Sequence, residues 1–126
     1  MTGTATQELR LLLVTEDQDL GEVLCEFLRD EGYAAFMASS VEDALALVTT
    51  QTFDVILSDF FRQRDQVPYH SVEHLRQAAQ PTPVGIMSAS NLTAEEVEQR
   101  GFACLLKKPF ELDDLRAAIV ACLQDR

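Results

Sequence analysis

The stretch FDVILSD, residues 53–59, contains a short, unbroken apolar run that is followed by Ser58 and Asp59. A run without alternating polar residues is typical of a strand covered on both faces, as strands of parallel sheets are. Four further short apolar runs occur, at residues 11–14, 34–38, 84–87 and 103–106. The segments between these five predicted strands are long enough for helices.

Helical spacing and capping residues support that interpretation. The first intervening segment has apolar residues at i, i+3, i+4, i+7 and i+8, namely Leu20, Val23, Leu24, Phe27 and Leu28. Gly32 is placed to end this helix. A second helix is predicted from Ser40, a third over residues 69–79, and a fifth over residues 112–123. The fourth opens on a predicted capping box of Thr93 and Glu96, and it has little apolar surface to bury.

Strict alternation of strand and helix predicts an α/β fold with a parallel sheet and right-handed crossovers. For five strands we expect a single flavodoxin-like domain, with strand order 2-1-3-4-5 and helices on both faces. The predicted domain covers residues 9–124 and follows a flexible tail of residues 1–8.

Composition restricts the partners. The chain has 126 residues, enough for one domain with a real core, and a formal net charge of −11. Phosphate backbones and anionic membranes attract basic surfaces, so we expect neither direct nucleic-acid binding nor membrane binding. A partner with a basic face or a bound cation fits this charge better.

The three cysteines, Cys25, Cys104 and Cys122, form no C-x-x-C pair and lie in apolar patterns. We interpret them as small core residues in a reducing compartment. The start MTGTATQE lacks the apolar stretch of a signal peptide, and no run approaches the length of a membrane span. A cytoplasmic location is therefore expected.

Polar side chains follow several predicted strands where each strand ends. Thr15, Glu16 and Asp17 follow the first strand, and Asp59 ends the third. Since the carboxyl ends of parallel strands meet at one edge, these carboxylates should converge, and they repel each other unless protonated or bound to a cation. Oxygen ligands of this kind suit Mg²⁺.

The fourth and fifth strands add a hydroxyl and a cation to the same edge. Ser88 ends the fourth strand, and Lys107, Lys108 and Pro109 follow the fifth. A lysine and a hydroxyl opposite a metal suggest that the remaining partner is anionic, and a phosphoryl group fits best.

Four segments carry a family resemblance. LLLVTEDQDL, FDVILSDF, VGIMSAS and LLKKPF resemble, in order and spacing, the motifs of the receiver domain of response regulators in two-component signalling, the CheY-like superfamily. The resemblance covers the chain from Leu11 to Leu123. It implies a phosphoacceptor, rather than an enzyme, that takes a phosphoryl group from a histidine kinase or phosphotransfer protein. A downstream protein would then bind the face formed by the fourth helix, fifth strand and fifth helix.

The resemblance also implies roles for individual residues. Asp59 would be the nucleophile and would become an acyl phosphate. Glu16, Asp59 and the backbone carbonyl of Phe61 would bind Mg²⁺ or Mn²⁺. Lys108 would pair with a phosphate oxygen, and Ser88 would hydrogen-bond the phosphoryl group. The bond between Lys108 and Pro109 is expected to be cis.

The sequence departs from the family pattern at three places. Thr15 stands where the first of two acids is usual, and Asp17 is either a substitute metal ligand or the cap of the first helix. The loop after Asp59 is longer than usual, and we hypothesise that bulky Phe61 shields the acyl phosphate from water. Leu105 replaces the usual aromatic switch residue, so switching must use other contacts or be weaker.

These departures leave an alternative open, a receiver-like module that binds proteins independently of phosphorylation. A flavin or nucleotide enzyme on the same fold is disfavoured, because TEDQD would repel a phosphate where such enzymes need a Gly-, Ser- or Thr-rich loop. His70 and His74 stand four residues apart and could share a metal, but two exposed histidines are favoured because no third ligand is evident.

Overall fold

The computed structural model describes residues 8–60, 69–89 and 91–124. Within them, five strands alternate with five helices. The strands are β1 (Arg10–Val14), β2 (Ala34–Ala38), β3 (Val55–Asp59), β4 (Val84–Ser88) and β5 (Leu105–Lys107). The helices are α1 (Gln18–Asp30), α2 (Val41–Thr50), α3 (His70–Ala79), α4 (Ala94–Gln99) and α5 (Leu112–Gln124).

The strands form one parallel sheet in the order β2-β1-β3-β4-β5. The predicted flavodoxin-like order is therefore confirmed. The apolar runs do not indicate which strands are adjacent in the sheet. The strand order was predicted from the general rule for alternating α/β chains.

The core has two layers, one on each face of the sheet. Leu11 and Leu13 of β1 point into the layer under α1 and α5, whereas Leu12 and Val14 point into the layer under α2, α3 and α4. Successive residues of a strand face opposite sides, so an unbroken apolar run is required where both faces are covered. β3 follows the same rule, and all of its first four residues are buried.

Capping residues define the helix ends as the sequence predicted. Ser40 Oγ accepts a hydrogen bond from the backbone N–H of Asp43 at 3.0 Å, and Thr93 Oγ1 accepts one from Glu96 at 3.1 Å. α1 ends just before Gly32, which has a φ of +98°. Few residues other than glycine tolerate that backbone angle.

Some boundaries and faces were predicted wrongly. β5 begins at Leu105, two residues later than predicted, although Ala103 and Cys104 already form backbone hydrogen bonds to β4. Val23 and Leu112 lie on the predicted apolar stripes of their helices but are exposed. Leu112 is the first residue of α5, and in α1 the neighbour of Val23, Leu24, is buried instead. None of the helices described is long and apolar enough to cross a membrane.

Candidate functional site

The candidate site lies where β1, β3, β4 and β5 end. The strand register pairs Val14 with Ser58 and Asp59 with Met87, and it pairs Ser88 with Lys107. The residues that follow β1 and β5 therefore lie at the same edge of the sheet as Asp59. This edge is the one at which α/β sheets of this type bind their ligands.

Asp59 is bound through both of its carboxylate oxygens. Lys108 Nζ donates to Oδ1 at 2.7 Å, and Thr15 Oγ1 donates to Oδ2 at 2.6 Å. The side chains of Asp59 and Lys108 are only 15% and 27% exposed. Hydrogen bonds to an ionised group in such partly buried surroundings are stronger than those between neutral groups. The carboxylate is therefore fixed in one orientation and its charge is balanced.

Thr15 links three parts of the site. Its side chain is buried, with the residue 1% exposed, and its backbone N–H continues the β1–β2 ladder to Ala38. While its hydroxyl donates to Asp59, it accepts a hydrogen bond from the backbone N–H of Asp17 at 3.1 Å. Thr15 stands in the place of an acid, and its contact with Asp59 was not predicted. A hydroxyl residue directly after a buried strand was the available signal.

The two alternatives for Asp17 differ in what its carboxylate binds. Asp17 Oδ1 accepts a hydrogen bond from the backbone N–H of Leu20 at 3.0 Å, as an N-cap of α1 does. This contact agrees with the capping alternative. Glu16, the preceding residue, has an exposed side chain.

The chemistry of the predicted metal ligands fits a hydrated Mg²⁺ ion. Asp59 and Glu16, two of these predicted ligands, are carboxylates, and Mg²⁺ in proteins commonly keeps several waters and binds one or two carboxylates. Among the residues described, no group of three or more His, Cys, Asp or Glu side chains is arranged to hold a metal ion. Phe61, the third predicted ligand, lies outside the described residues.

The remaining predicted residues occupy the β4 and β5 side. Ser88 is buried, and its carbonyl accepts a hydrogen bond of 2.9 Å from the backbone N–H of Lys108. This bond ties the ends of β4 and β5 together. The peptide bond between Lys108 and Pro109 is cis. Leu105 is half-buried and packs against the core layer under α2, α3 and α4.

Tyr69 was not predicted as a site residue. It immediately precedes α3, with a left-handed φ of 69°, and it is only 2% exposed. Its ring lies 4.8 Å from that of Phe60, the neighbour of Asp59, and its hydroxyl donates to Glu96 Oε2 of α4 at 2.7 Å. The guanidinium of Arg100 lies 4.0 Å from the ring centroid. Tyr69 therefore connects the end of β3 with α4.

Burial raises the pKa of Tyr69 to about 12, and the hydrogen bond to Glu96 acts in the same direction. A tyrosinate would lose the proton it donates and would face a carboxylate. The hydroxyl thus remains a donor throughout the neutral range. No sequence pattern predicted this role, because the tyrosine and its partner are 27 residues apart.

The two histidines and the three cysteines lie on helices or in the core. His70 and His74 both lie on α3 with exposed side chains. All three cysteines are buried and none forms a disulfide, as predicted for core residues.

Comparison with known proteins identifies the family. The family model described as "Response regulator receiver domain" matches residues 11–120. The chain belongs to this family. It is therefore a receiver domain of the two-component response regulators.

Curated relatives share this domain. The chain is 28% identical over 113 residues to the transcriptional regulatory protein DltR of Streptococcus agalactiae, covering 88% of the chain and 50% of the relative. It is 31% identical over 123 residues to the transcriptional regulatory protein CrdR of Helicobacter pylori, covering 92% and 55%. The receiver chain thus spans about half the length of these relatives.

A solved structure agrees with the fold. The receiver domain of the Francisella response regulator 1452 superposes with a TM-score of 0.78 and 24% sequence identity. The match covers 94% of this chain and 98% of that one. At this identity the likeness supports the fold alone.

Proposed function

We propose that this receiver domain accepts a phosphoryl group on Asp59 from a histidine kinase or a phosphotransfer protein, with Mg²⁺ or Mn²⁺ as cofactor. The observation that carries the proposal is the pair of contacts to Asp59. A lysine and a hydroxyl hold the two oxygens of a single carboxylate at the end of the central strand. A carboxylate needed only to cap a turn would not require a partly buried lysine that follows β5.

In the proposed transfer, a carboxylate oxygen of Asp59 forms a bond to phosphorus while the bond from phosphorus to the donor breaks. Little covalent work falls to the protein, and catalysis consists of positioning and charge neutralisation. The metal ion, held by Glu16 and Asp59, would supply positive charge beside the phosphoryl oxygens. Lys108 would move its ammonium group from the carboxylate to a phosphoryl oxygen, and the Ser88 hydroxyl would donate to another.

The phosphorylated domain would signal by protein contact. The proposed target surface comprises α4, β5 and α5, the elements next to Ser88 and Lys108. Its partner would have a basic surface, because the chain carries a net charge of −11. The two relatives described above are transcriptional regulatory proteins, so the proposed contact would serve to regulate an output.

The test uses mass. The protein is incubated with Mg²⁺ and a small acyl phosphate, and its intact mass is measured. We expect the gain of one phosphoryl group in the natural sequence, its loss in Asp59→Asn, and its retention in Asp30→Asn, a matched control on the exposed end of α1. A phosphoryl gain that persists in Asp59→Asn would refute the assignment.

One observation favours a second candidate, a phosphorylation-independent binding module. Thr15 occupies the site of an acid and satisfies Asp59 without a metal. Such a module would show neither a phosphoryl gain nor amide shifts in an NMR spectrum on adding Mg²⁺ and a fluoroberyllate phosphate mimic. Shifts at Asp59, Ser88 and Lys108 support the first proposal instead.

A further inference from the structure

Two of the three buried cysteines face each other across the junction of the sheet and the last helix. The sulfur atoms of Cys104 and Cys122 lie 3.2 Å apart, although the residues are 18 positions apart in the chain. Cys104 precedes β5 and is 8% exposed, whereas Cys122 lies on the inner face of α5 and is fully buried. We propose that this pair is a site of reversible oxidation, at which a hydroperoxide produces an intrachain disulfide.

The surrounding packing holds the two sulfurs in place. A Cβ atom at Gly85 of β4 would lie only 2.5 Å from the sulfur of Cys104. The glycine thus leaves the space in the sheet that this sulfur occupies. Cys122 packs in the same core layer as Cys104, together with Leu115 and Ile119 of α5. Because close-packed interiors restrict side-chain movement, the two thiols are kept in contact rather than brought together by chance.

Only a small movement separates the contact from a bond. The sulfurs of a disulfide are about 2.05 Å apart, so those of Cys104 and Cys122 would need to approach by roughly 1.1 Å. A displacement of this size is within the reach of side-chain rotation and a slight shift of α5. The proposed bond therefore calls for a local adjustment of the two side chains and of α5.

Cys104 borders a surface groove and Cys122 does not. A surface groove runs between β5 and α5, and Cys104 contributes to its lining together with the small side chains Ala117, Ala118 and Ala121. The alanines of α5 leave space that larger residues would fill. Cys122 is not part of this lining. Cys104 is therefore the thiol that reacts first, and Cys122 the thiol that resolves.

The chemistry balances in two steps. The sulfur of Cys104, as thiolate, attacks one oxygen of the hydroperoxide, the O–O bond breaks, and a sulfenic acid and an alcohol or water are formed. The sulfur of Cys122 then attacks the sulfenic sulfur, the S–O bond breaks, and water leaves as the S–S bond forms. The two thiols together lose two protons and two electrons, and the hydroperoxide is reduced. A small thiol reverses the reaction by exchange.

Cys25 provides an internal comparison. It is also buried, but it lies in α1, in a different part of the same core layer. Burial raises its pKa, an effect only partly offset by the charge of Arg29. Cys25 also borders a surface groove, but the sulfur contact that would become the disulfide joins Cys104 to Cys122 and does not include Cys25. We therefore expect Cys25 to remain reduced while Cys104 and Cys122 are oxidised.

The bond would join α5 to the β4–β5 side of the sheet. α5 and β5 belong to the proposed target surface, so oxidation would restrict movement of that surface. The closed loop spans 18 positions, and cross-linking it reduces the conformational freedom of the unfolded chain. We expect the oxidised protein to unfold at a higher temperature than the reduced protein.

The experiment treats the reduced, native full chain with hydrogen peroxide, then unfolds it and labels the free thiols. The untreated protein should carry three labels per chain, and the treated protein one label, on Cys25. Trypsin should release residues 101–107 and 117–126 as one cross-linked species that a reductant separates. Protein that is unfolded before oxidation should lose this preference, because the preference depends on the folded geometry.

Variants make the assignment specific. Cys25→Ala should still form the cross-link, whereas Cys122→Ala should instead leave a sulfenic acid on Cys104 that dimedone traps. Asp59→Asn should form the cross-link as the natural sequence does, since the pair is independent of phosphoryl transfer. Three free thiols after treatment of the native protein, or a cross-link that includes Cys25, would overturn the proposal.

Discussion

The hydroxyl of Thr15 donates a hydrogen bond of 2.6 Å to Oδ2 of Asp59, the oxygen that Lys108 does not bind. The negative charge of Asp59 is therefore compensated within the chain. An acid in place of Thr15 would instead repel Asp59 and would need a cation beside it. Thr15 thus holds the Asp59 carboxylate by a contact within the chain, and we expect a lower affinity for a metal ion than an acid at this position would give.

This contact predicts the behaviour of Thr15→Asp. The new carboxylate is buried beside Asp59, so we expect the free energy of unfolding to fall by about 1–3 kcal/mol in the absence of metal. Mg²⁺ should restore this loss, and its affinity should rise about tenfold, or ~1.4 kcal/mol. Thermal unfolding midpoints with and without excess Mg²⁺ measure both effects.

The control is Thr15→Asn, which has nearly the size of Asp and no charge. It should show the Mg²⁺ response of the natural sequence, because it adds no carboxylate to the site. Equal Mg²⁺-induced shifts for Thr15→Asp and the natural sequence would mean that position 15 does not take part in metal binding.

The ion pair of Lys108 and Asp59 predicts a second result. Lys108→Met keeps most of the length of the side chain but leaves the Asp59 carboxylate with Thr15 alone. We expect a loss of about 2 kcal/mol in the free energy of unfolding, since a partly buried charge loses its counter-ion. The double variant with Asp59→Asn should lose less than the sum of the two single variants. Denaturant titration of all four proteins gives this coupling.

Lys107→Met is the matched control for that cycle. Lys107 is the exposed neighbour of Lys108 at the end of β5. Its replacement should change the free energy of unfolding by no more than about 0.5 kcal/mol. Strict additivity of Lys108→Met and Asp59→Asn would show that the ion pair contributes nothing to stability.

The sequence was sufficient for the fold and for the convergence of the site. Unbroken apolar runs such as that of β3 reveal buried parallel strands, and the ends of such strands meet by geometry. The convergence of Asp59 and Lys108 at one edge follows from that reasoning, although the residues are 49 positions apart; their direct hydrogen bond was not predicted. The position of Asp17 at the start of α1 was similarly evident as one of two alternatives.

The contacts that escaped prediction depend on side-chain direction and on backbone angles. Thr15 was recognised as a departure, but its hydroxyl contact with Asp59 depends on a rotamer that the sequence does not encode locally. The sequence pattern predicted Tyr69 as the first residue of a helix. In the structure it adopts a left-handed backbone angle, which is uncommon for a bulky residue and which the pattern does not indicate. Its partner Glu96 was assigned to a capping box, where its carboxylate was expected to bind the backbone.

The hydrogen bond from Tyr69 to Glu96 predicts a local effect on α4. α4 has only six residues, and Val97 is its only buried side chain. Tyr69→Phe should lower the free energy of unfolding by about 1 kcal/mol and should accelerate hydrogen exchange of the α4 amides about fivefold. The reason is that α4 loses its hydrogen bond to the residue that precedes α3. Tyr33→Phe, the only other tyrosine substitution possible, should leave these amides unchanged. Unchanged exchange in Tyr69→Phe would show that packing alone holds α4.

Alkaline pH tests the same hydrogen bond without changing the packing. Folding raises the pKa of Tyr69 from its ordinary value of 10.0 to about 12, chiefly by burial. The folded state thus favours the protonated phenol, and its contribution to stability is complete below pH 10 and lost as the pH rises towards about 12. The free energy of unfolding should therefore fall more steeply across this window in the natural sequence than in Tyr69→Phe. Tyr33→Phe retains Tyr69 and should keep the steep dependence. Parallel pH profiles for the natural sequence and Tyr69→Phe would show that the phenol of Tyr69 is not coupled to folding.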